Sequence, residues 1–151
     1  MSRARSLTIA AVALMVLAPA PSRAFSDGVS NMSGKPPASS CTGCHKAGGT
    51  AAPSRVALTG PMLVSAGSGA LYSLVIEGLA MGAGFDIAVS DGSLQPGQAG
   101  GAKLIGSDLS HSASWPKGAK TTIDFAFTAP VTPGKVTIYI TVLSVDGDGG
   151  T

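Results

Sequence analysis

The amino-acid sequence predicts an all-β protein, an immunoglobulin-like antiparallel β-sandwich that follows an irregular segment. Three observations predict it. From residue 55 onward, apolar and polar residues alternate in short runs, clusters of Gly, Pro and Asp separate these runs, and no stretch between them has helical periodicity. Because parallel strands need a long crossover connection, usually a helix, we expect neighbouring strands to be antiparallel.

The predicted strands are short, and each has one apolar face. The clearest of them span residues 71–77, 85–89, 123–128 and 136–142. Shorter candidates are residues 56–58 and 103–105, and Gly- and Pro-rich turns separate them all. Six or seven such strands suffice for two packed sheets, which is the arrangement of a β-sandwich.

Residues 1–24 are predicted to be a secretory signal. Arg3 and Arg5 give it a basic start, residues 7–17 are apolar, and Ser22-Arg23-Ala24 has the small residues of a cleavage site. The apolar run is shorter than the roughly 20 residues that span a bilayer. We therefore expect cleavage after Ala24 and no transmembrane segment in the mature chain, the alternative being an uncleaved anchor.

The predicted export implies a periplasmic, cell-surface or secreted protein. After the signal, residues 25–54 form a polar segment rich in Gly and Pro, and residues 55–151 form the predicted sandwich domain. The segment of residues 25–54 has no apolar periodicity, so we expect it to be irregular, with at most one short helical turn.

The charge of the mature chain excludes one class of partner. The whole sequence has 10 basic and 8 acidic residues, and the signal contains three of the basic ones, Arg3, Arg5 and Arg23, and none of the acidic ones. Cleavage leaves 7 basic and 8 acidic residues, a formal net charge of −1. Without a basic patch, a nucleic-acid partner is not expected.

One motif carries chemistry. Cys41-Thr42-Gly43-Cys44-His45 is a C-x-x-C-H sequence, and its two cysteines are the only ones in the chain. In a c-type haem site, the two thiols add to the vinyl groups of the porphyrin and the adjacent histidine becomes the proximal iron ligand. The sequence therefore predicts one covalent haem c, attached through Cys41 and Cys44, with His45 as a ligand of the iron.

Three other interpretations of the motif remain open. A disulfide between Cys41 and Cys44 suits an oxidising compartment, although so small a loop would stabilise little. A thioredoxin-like redox pair would need a helix start in a βαβ unit, which the sequence does not predict. A structural zinc site would need a fourth ligand, which His111 could supply.

His111 is the only other histidine, and it lies in the polar stretch Asp108-Leu109-Ser110-His111-Ser112. One interpretation makes it the distal iron ligand, and the other makes it a solvent-exposed loop histidine. The rival distal ligands are Met32, Met62 and Met81. A methionine ligand would raise the reduction potential relative to paired histidines.

These features predict an electron-transfer protein rather than an enzyme. Two nitrogen ligands leave the iron without an open position, and the scarcity of aromatic residues implies a partly exposed haem that can dock with a redox partner protein. The alternative is an extracellular adhesion or carbohydrate-facing sandwich in which the cysteines form a disulfide. A gas or redox sensor with a displaceable sixth ligand is a third hypothesis.

Beyond the motif, several stretches carry a family resemblance. They are residues 41–45 after a Gly- and Pro-rich start, Gly84-Phe85-Asp86-Ile87-Ala88-Val89, residues 109–112, 125–130 and 134–137, and the closing Gly147-Asp148-Gly149-Gly150-Thr151. Over about residues 26–151 the chain resembles the choice-of-anchor V domain, a Reeler-like β-sandwich of bacterial surface proteins. The resemblance implies a c-type haem at the motif and supports His111 as a ligand. Relatives usually continue past such a Gly-Asp motif into a sorting or anchoring segment.

Overall fold

The computed structural model describes residues 27–37, 40, 55–78, 82–98, 100–112 and 120–145. These residues contain eight strands and no helix. The strands are β1 (Arg55–Thr59), β2 (Gly69–Glu77), β3 (Gly82–Val89), β4 (Ser93–Pro96), β5 (Ala102–Ile105), β6 (Asp108–His111), β7 (Lys120–Thr128) and β8 (Ile138–Val145). The part of the chain that is described thus has no helix of the length and apolarity needed to cross a bilayer.

The strands form two four-stranded sheets in which every neighbouring pair is antiparallel. The first sheet has the order β1-β2-β7-β4, and the second has the order β5-β6-β3-β8. The prediction of an all-β antiparallel sandwich is confirmed.

Two strands escaped prediction, and several predicted boundaries are wrong: β2, β3 and β7 begin at Gly69, Gly82 and Lys120, two or three residues before their predicted starts. β4 and β6 each contain a single strongly apolar residue, Leu94 and Leu109, so neither shows the alternation that identifies a strand. β8 begins at Ile138 rather than at Val136, and it continues to Val145. The Gly106-Ser107 pair between β5 and β6 is a two-residue hairpin connection, which brings Ile105 opposite Asp108.

The core lies between the two sheets. Its buried residues occupy every second position of the long strands and are Tyr72, Leu74, Ile76, Ala83, Phe85, Ile87, Val89, Leu94, Leu109, Ile123, Phe125 and Phe127. The Tyr72 ring stacks on Phe125 with their centroids 5.6 Å apart and meets Phe127 edge-on at 6.2 Å. The Tyr72 hydroxyl donates to the carbonyl oxygen of Pro61 at 2.7 Å, so this large apolar side chain is buried without an unsatisfied polar group.

Residues 27–37, hereafter the N-terminal strap, cover the outer face of the second sheet, which is the face turned away from the core. Asp86 and Ala88 alternate with core residues of β3 and so point to this outer face, yet they are only 0% and 1% exposed. The strap covers them: the Met32 amide donates to Asp86, and the Lys35 ammonium donates to the carbonyl oxygen of Val89 at 2.6 Å. The middle of the second sheet is therefore buried on both faces.

Phe125 tests the packing of the core. We expect Phe125→Ala to lower the free energy of unfolding by about 3–5 kcal/mol, because the change leaves a cavity where a fully buried ring stacks on Tyr72. Leu71→Ala is the control: Leu71 is 74% exposed, and its truncation should change stability by less than about 0.5 kcal/mol. Urea unfolding measures both, and equal losses in the two variants would contradict the described core.

Candidate functional site

The structure describes one of the four residues predicted to bind haem. Cys41, Cys44 and His45 lie outside the described residues, whereas His111 and the chain up to Ser40 lie within them. Of the rival iron ligands, Met81 also lies outside, Met62 is 99% exposed in the connection between β1 and β2, and Met32 is half-buried in the strap.

His111 is the last residue of β6, and it is 8% exposed. It lies opposite Ala102 in the β5–β6 pair, and the preceding residues Asp108, Leu109 and Ser110 are all buried. The interpretation of His111 as a solvent-exposed loop histidine is therefore wrong. The reason is that its ring packs against Gly84 and the main chain of Phe85, while Gly28 of the strap covers its carbonyl oxygen.

The imidazole of His111 is held against the main chain of Phe85. Its Nδ1 atom lies 3.2 Å from both the amide nitrogen and the carbonyl oxygen of Phe85, and 3.5 Å from the Ser110 hydroxyl. The Phe85 amide donates to Nδ1, which puts the proton of the neutral ring on Nε2, and the Phe85 carbonyl accepts from the Ser110 hydroxyl at 3.0 Å. The other tautomer, with its proton on Nδ1, donates to the Phe85 carbonyl instead and has its lone pair on Nε2. A backbone carbonyl that accepts from one ring nitrogen is the usual support of a histidine that binds a metal through the other.

Gly84 makes room for the His111 ring. A Cβ atom at this position would lie 2.9 Å from Cε1 and 3.3 Å from Nδ1 of His111, so any side chain at residue 84 would displace the ring. Gly84 precedes the core residue Phe85 in β3, so its missing side chain would point to the outer face of the second sheet. The imidazole therefore lies against Gly84 and the main chain of Phe85, near the start of β3.

Three side chains near His111 hold the strap through its main-chain amides. The Met32 amide donates to Asp86 Oδ2 at 2.7 Å, the Asn31 amide to Asp108 Oδ2 at 2.8 Å, and the Val29 amide to Ser110 Oγ at 3.1 Å. Gly28 passes directly against the His111 carbonyl oxygen with a φ of +81°, so a side chain fits there neither sterically nor conformationally.

The strap crosses the sheet from β6 to β8 and then begins to return. Val29 contacts β6, Met32 contacts β3, and a Cβ at Gly34 would lie 3.8 Å from Thr141 Oγ1 in β8. Ser33 forms an antiparallel bridge with Ser40, so at Ser40 the chain runs back in the direction of β6. Cys41 is the next residue.

Arg55 is the first described residue after the motif, and it lies at the same end of the sandwich as His111. Arg55 pairs with Glu77 at the end of β2, and the connection that follows β2 leads into the start of β3, where Gly84 contacts the His111 ring. Arg55 and the start of β3 therefore lie at the same end of the sandwich.

Asp86 is the most perturbed acid among the described residues. Burial raises its pKa from 3.8 to about 6, although the amides of Met32 and Ser33 and the nearby His111 oppose this rise, while Asp108 adds to it. Its Oδ1 atom is buried with no hydrogen-bond partner in the described part of the chain. No group of three or more His, Cys, Asp or Glu residues that could hold a metal ion occurs among the described residues.

A half-open cleft of about 400 Å³ lies elsewhere, between Lys35 and the turn that joins β3 to β4. Its lining is mainly polar and includes Ser90, Asp91 and Gln95. None of the residues predicted to bind haem lines this cleft, so it is not part of the candidate site.

The sequence analysis missed Gly84, Asp86, Asp108 and Ser110 as parts of this site. The Gly106-Ser107 pair, a two-residue hairpin signal next to the predicted strand at residues 103–105, could have revealed β6 and with it Asp108 and Ser110. Nothing local marks Asp86 or Gly84, because the segment that buries Asp86 is 54 positions away in the chain.

Comparison with protein-family models finds no family that matches the chain. Searches of curated proteins and of solved structures likewise find no significant match.

The pKa of Asp86 predicts an unusual dependence of stability on pH. Its pKa is higher in the folded chain than in the unfolded one, so the folded state binds the extra proton and stability rises as the pH falls from about 6 toward 3.8. We expect the stability of the unmodified protein, relative to Asp86→Asn, to increase by on the order of 3 kcal/mol between pH 7 and pH 4, since each pKa unit corresponds to about 1.4 kcal/mol.

Urea unfolding at several pH values measures this difference, and Asp124→Asn serves as the control, because Asp124 is exposed and lies on β7 in the other sheet. A difference between the unmodified protein and Asp86→Asn that stays constant with pH would show that burial does not hold the Asp86 proton.

Proposed function

We propose that the protein is an exported monohaem c-type cytochrome-like protein that transfers electrons. Cys41 and Cys44 attach the haem, His45 is the proximal iron ligand and His111 is the distal one. The bound iron supplies one-electron redox chemistry, and the protein supplies attachment, axial ligands and burial. The C-x-x-C-H sequence, formed by the only two cysteines and one of the two histidines, is the observation that carries this proposal.

The course of the chain supports a haem near His111. Five residues separate Ser40 from His45, and an extended chain of that length reaches at most about 18 Å. Ser40 is bridged to Ser33, whose neighbour Met32 is bound to Asp86 on β3, and Asp86 lies opposite Ser110, the residue before His111. Adjacent strands are only about 4.8 Å apart, so the motif is within reach of the His111 ring.

The environment of His111 supports a ligand role. An axial histidine must be held in one orientation and in one tautomer, and a hydrogen bond from its second ring nitrogen achieves both. The Phe85 amide and carbonyl both lie 3.2 Å from Nδ1, so the ring is held in either tautomer, and the carbonyl accepts from Nδ1 in the tautomer that an iron ligand requires. Gly84 gives the ring its space. A buried imidazole with this support fits the haem group better than an exposed loop histidine would.

The resemblance to the choice-of-anchor V domain supports the same assignment, with residues 25–54 as the haem-attachment segment and residues 55–151 as the sandwich domain. Export after cleavage at Ala24 would deliver the chain to the periplasm, the cell surface or the medium, where covalent haem attachment is completed. Two nitrogen ligands leave no open position on the iron, which favours electron exchange with a redox partner protein over enzymatic oxygen chemistry.

Intact-mass analysis tests the attachment. Expressed with a cytochrome c maturation system, the protein should have the mass of the chain after Ala24 plus one haem, and it should keep its visible spectrum after acid-acetone extraction. Cys41→Ser with Cys44→Ser should lose the covalent haem, whereas Ser40→Ala, a control beside the motif, should retain it. A colourless chain of bare mass, with its two thiols joined, would instead favour the adhesion or carbohydrate-facing sandwich.

Substitution of His111 tests the distal ligand. We expect His111→Met to raise the reduction potential, because a thioether favours ferrous iron more than an imidazole does. His111→Ala should open the sixth position, so that carbon monoxide shifts the spectrum of the reduced protein. Met62→Leu, a change in a 99% exposed side chain, should alter neither property. An unchanged spectrum and potential in both His111 variants would assign the sixth position to another residue.

A further inference from the structure

The second sheet ends in β8, a strand whose outer edge has no partner strand among the described residues. β8 pairs with β3 alone. An edge strand of this kind presents a row of unpaired main-chain N–H and C=O groups, which is a template for another strand. From Ile138 to Val145, β8 contains no charged residue, no proline and no glycine. Nothing in its sequence hinders such pairing.

The other three sheet edges are protected, and the contrast is the first argument. β4 is four residues long and ends in Pro96, β5 is equally short and contains Lys103, and β1 has five residues and begins with Arg55. Short length, proline and basic side chains are the usual devices that prevent strands from pairing at an edge. Among the four edges described, only the edge of β8 has none of these devices.

The side of the sandwich at β8 also exposes part of the core, which is the second argument. Val56 and Leu58 of β1 lie opposite the core residues Ile76 and Leu74, so their side chains share the inner face of the first sheet. Nevertheless Val56 is 47% and Leu58 is 40% exposed, whereas Ile76 and Leu74 are fully buried. β4, the last strand of the first sheet, contacts β5 and β6 of the second sheet, so these strands lie on one side of the sandwich. The opposite edges, β1 and β8, therefore lie together on the other side, where Val56 and Leu58 are exposed.

We propose that β8 pairs with β8 of a second copy of this chain, so that the second sheet continues through a two-fold axis. An antiparallel edge can pair with itself under two-fold symmetry, and the absence of charge along β8 means that no like charges oppose each other. A register with Thr141 on the axis sets Ile140 beside the partner's Val142. The inner side chains of both copies then stay on one face and continue the two cores.

The size of the contact predicts its strength. Eight residues at about 3.4 Å each give an edge roughly 27 Å long. Two sheets stacked about 10 Å apart, with their side chains, make this side of the sandwich roughly 20 Å deep, so the contact would bury roughly 500 Å² of each copy. This is at the lower limit of specific interfaces, so we expect a dimer that dissociates at micromolar rather than nanomolar concentration. The proposal goes beyond electron transfer and does not depend on the haem.

Sedimentation of the mature chain over a range of concentrations tests the proposal. The unmodified protein should show a reversible monomer–dimer equilibrium. Leu58→Lys and Val56→Lys each introduce a charge beside the β8 edge, at positions that are already partly exposed. Each substitution should raise the dissociation constant of the dimer about tenfold or more. Leu71→Lys is the matched control: it is 74% exposed on β2, and the dimer should persist. Circular dichroism checks that each variant is folded.

Hydrogen exchange identifies the contact directly. Amides of β8 should become protected as the concentration rises, whereas amides of the other edge strands β4 and β5 should exchange at a constant rate. A chain that is monomeric at every concentration would overturn the proposal. So would a dimer that forms equally well in Leu58→Lys and Val56→Lys, or one that leaves the exchange of β8 unchanged.

Discussion

The attachment of the N-terminal strap to the second sheet is the interaction on which the rest of the structure depends. The strap contains few apolar side chains, so main-chain amides fix it by donating to Asp86, Asp108 and Ser110. Hydrogen bonds to charged groups are stronger than those between neutral groups, contributing about 1.5–3 kcal/mol each, but at Asp86 the cost of burying the carboxylate exceeds this gain and raises its pKa. A polar outer face thereby becomes a buried layer, and the chain just before Cys41 is bound to the strands next to His111.

The position of His111 follows from the way in which the β3–β6 pairing ends. The paired residues are Asp86 with Ser110 and Ile87 with Leu109, and no pair follows toward Gly84. At that point the imidazole of His111, rather than another main-chain group, lies within hydrogen-bonding distance of the Phe85 amide and carbonyl. Because the main chain of β3 holds Nδ1 of the ring, the orientation of the His111 imidazole is fixed by the sheet. The same strand end therefore terminates a hairpin and orients the His111 imidazole.

The sequence alone predicted the fold class and most of the strands, because alternation over five or more residues reports directly on a sheet with one apolar face. The sequence-based prediction failed at residues that are buried by a segment far away in the chain. Asp86 appears in an alternating run as an ordinary outward polar residue, yet the strap buries it completely. β6 lacks alternation because its outer residues face the strap, so His111 could be interpreted as a loop residue. The motif at residues 41–45 is visible in the sequence because its residues are contiguous, and it lies outside the described residues, so its role stays a prediction.

The bonds that hold the strap also impose an order on maturation. They join residues that are 54 to 81 positions apart, so the strap is synthesised long before the strands that receive it. During vectorial synthesis or translocation it cannot dock until β3 and β6 have formed a sheet. The strap is consequently the first described segment to be synthesised and among the last to be packed. The architecture thus makes the burial of Asp86 and of the outer face of the second sheet a late event in folding.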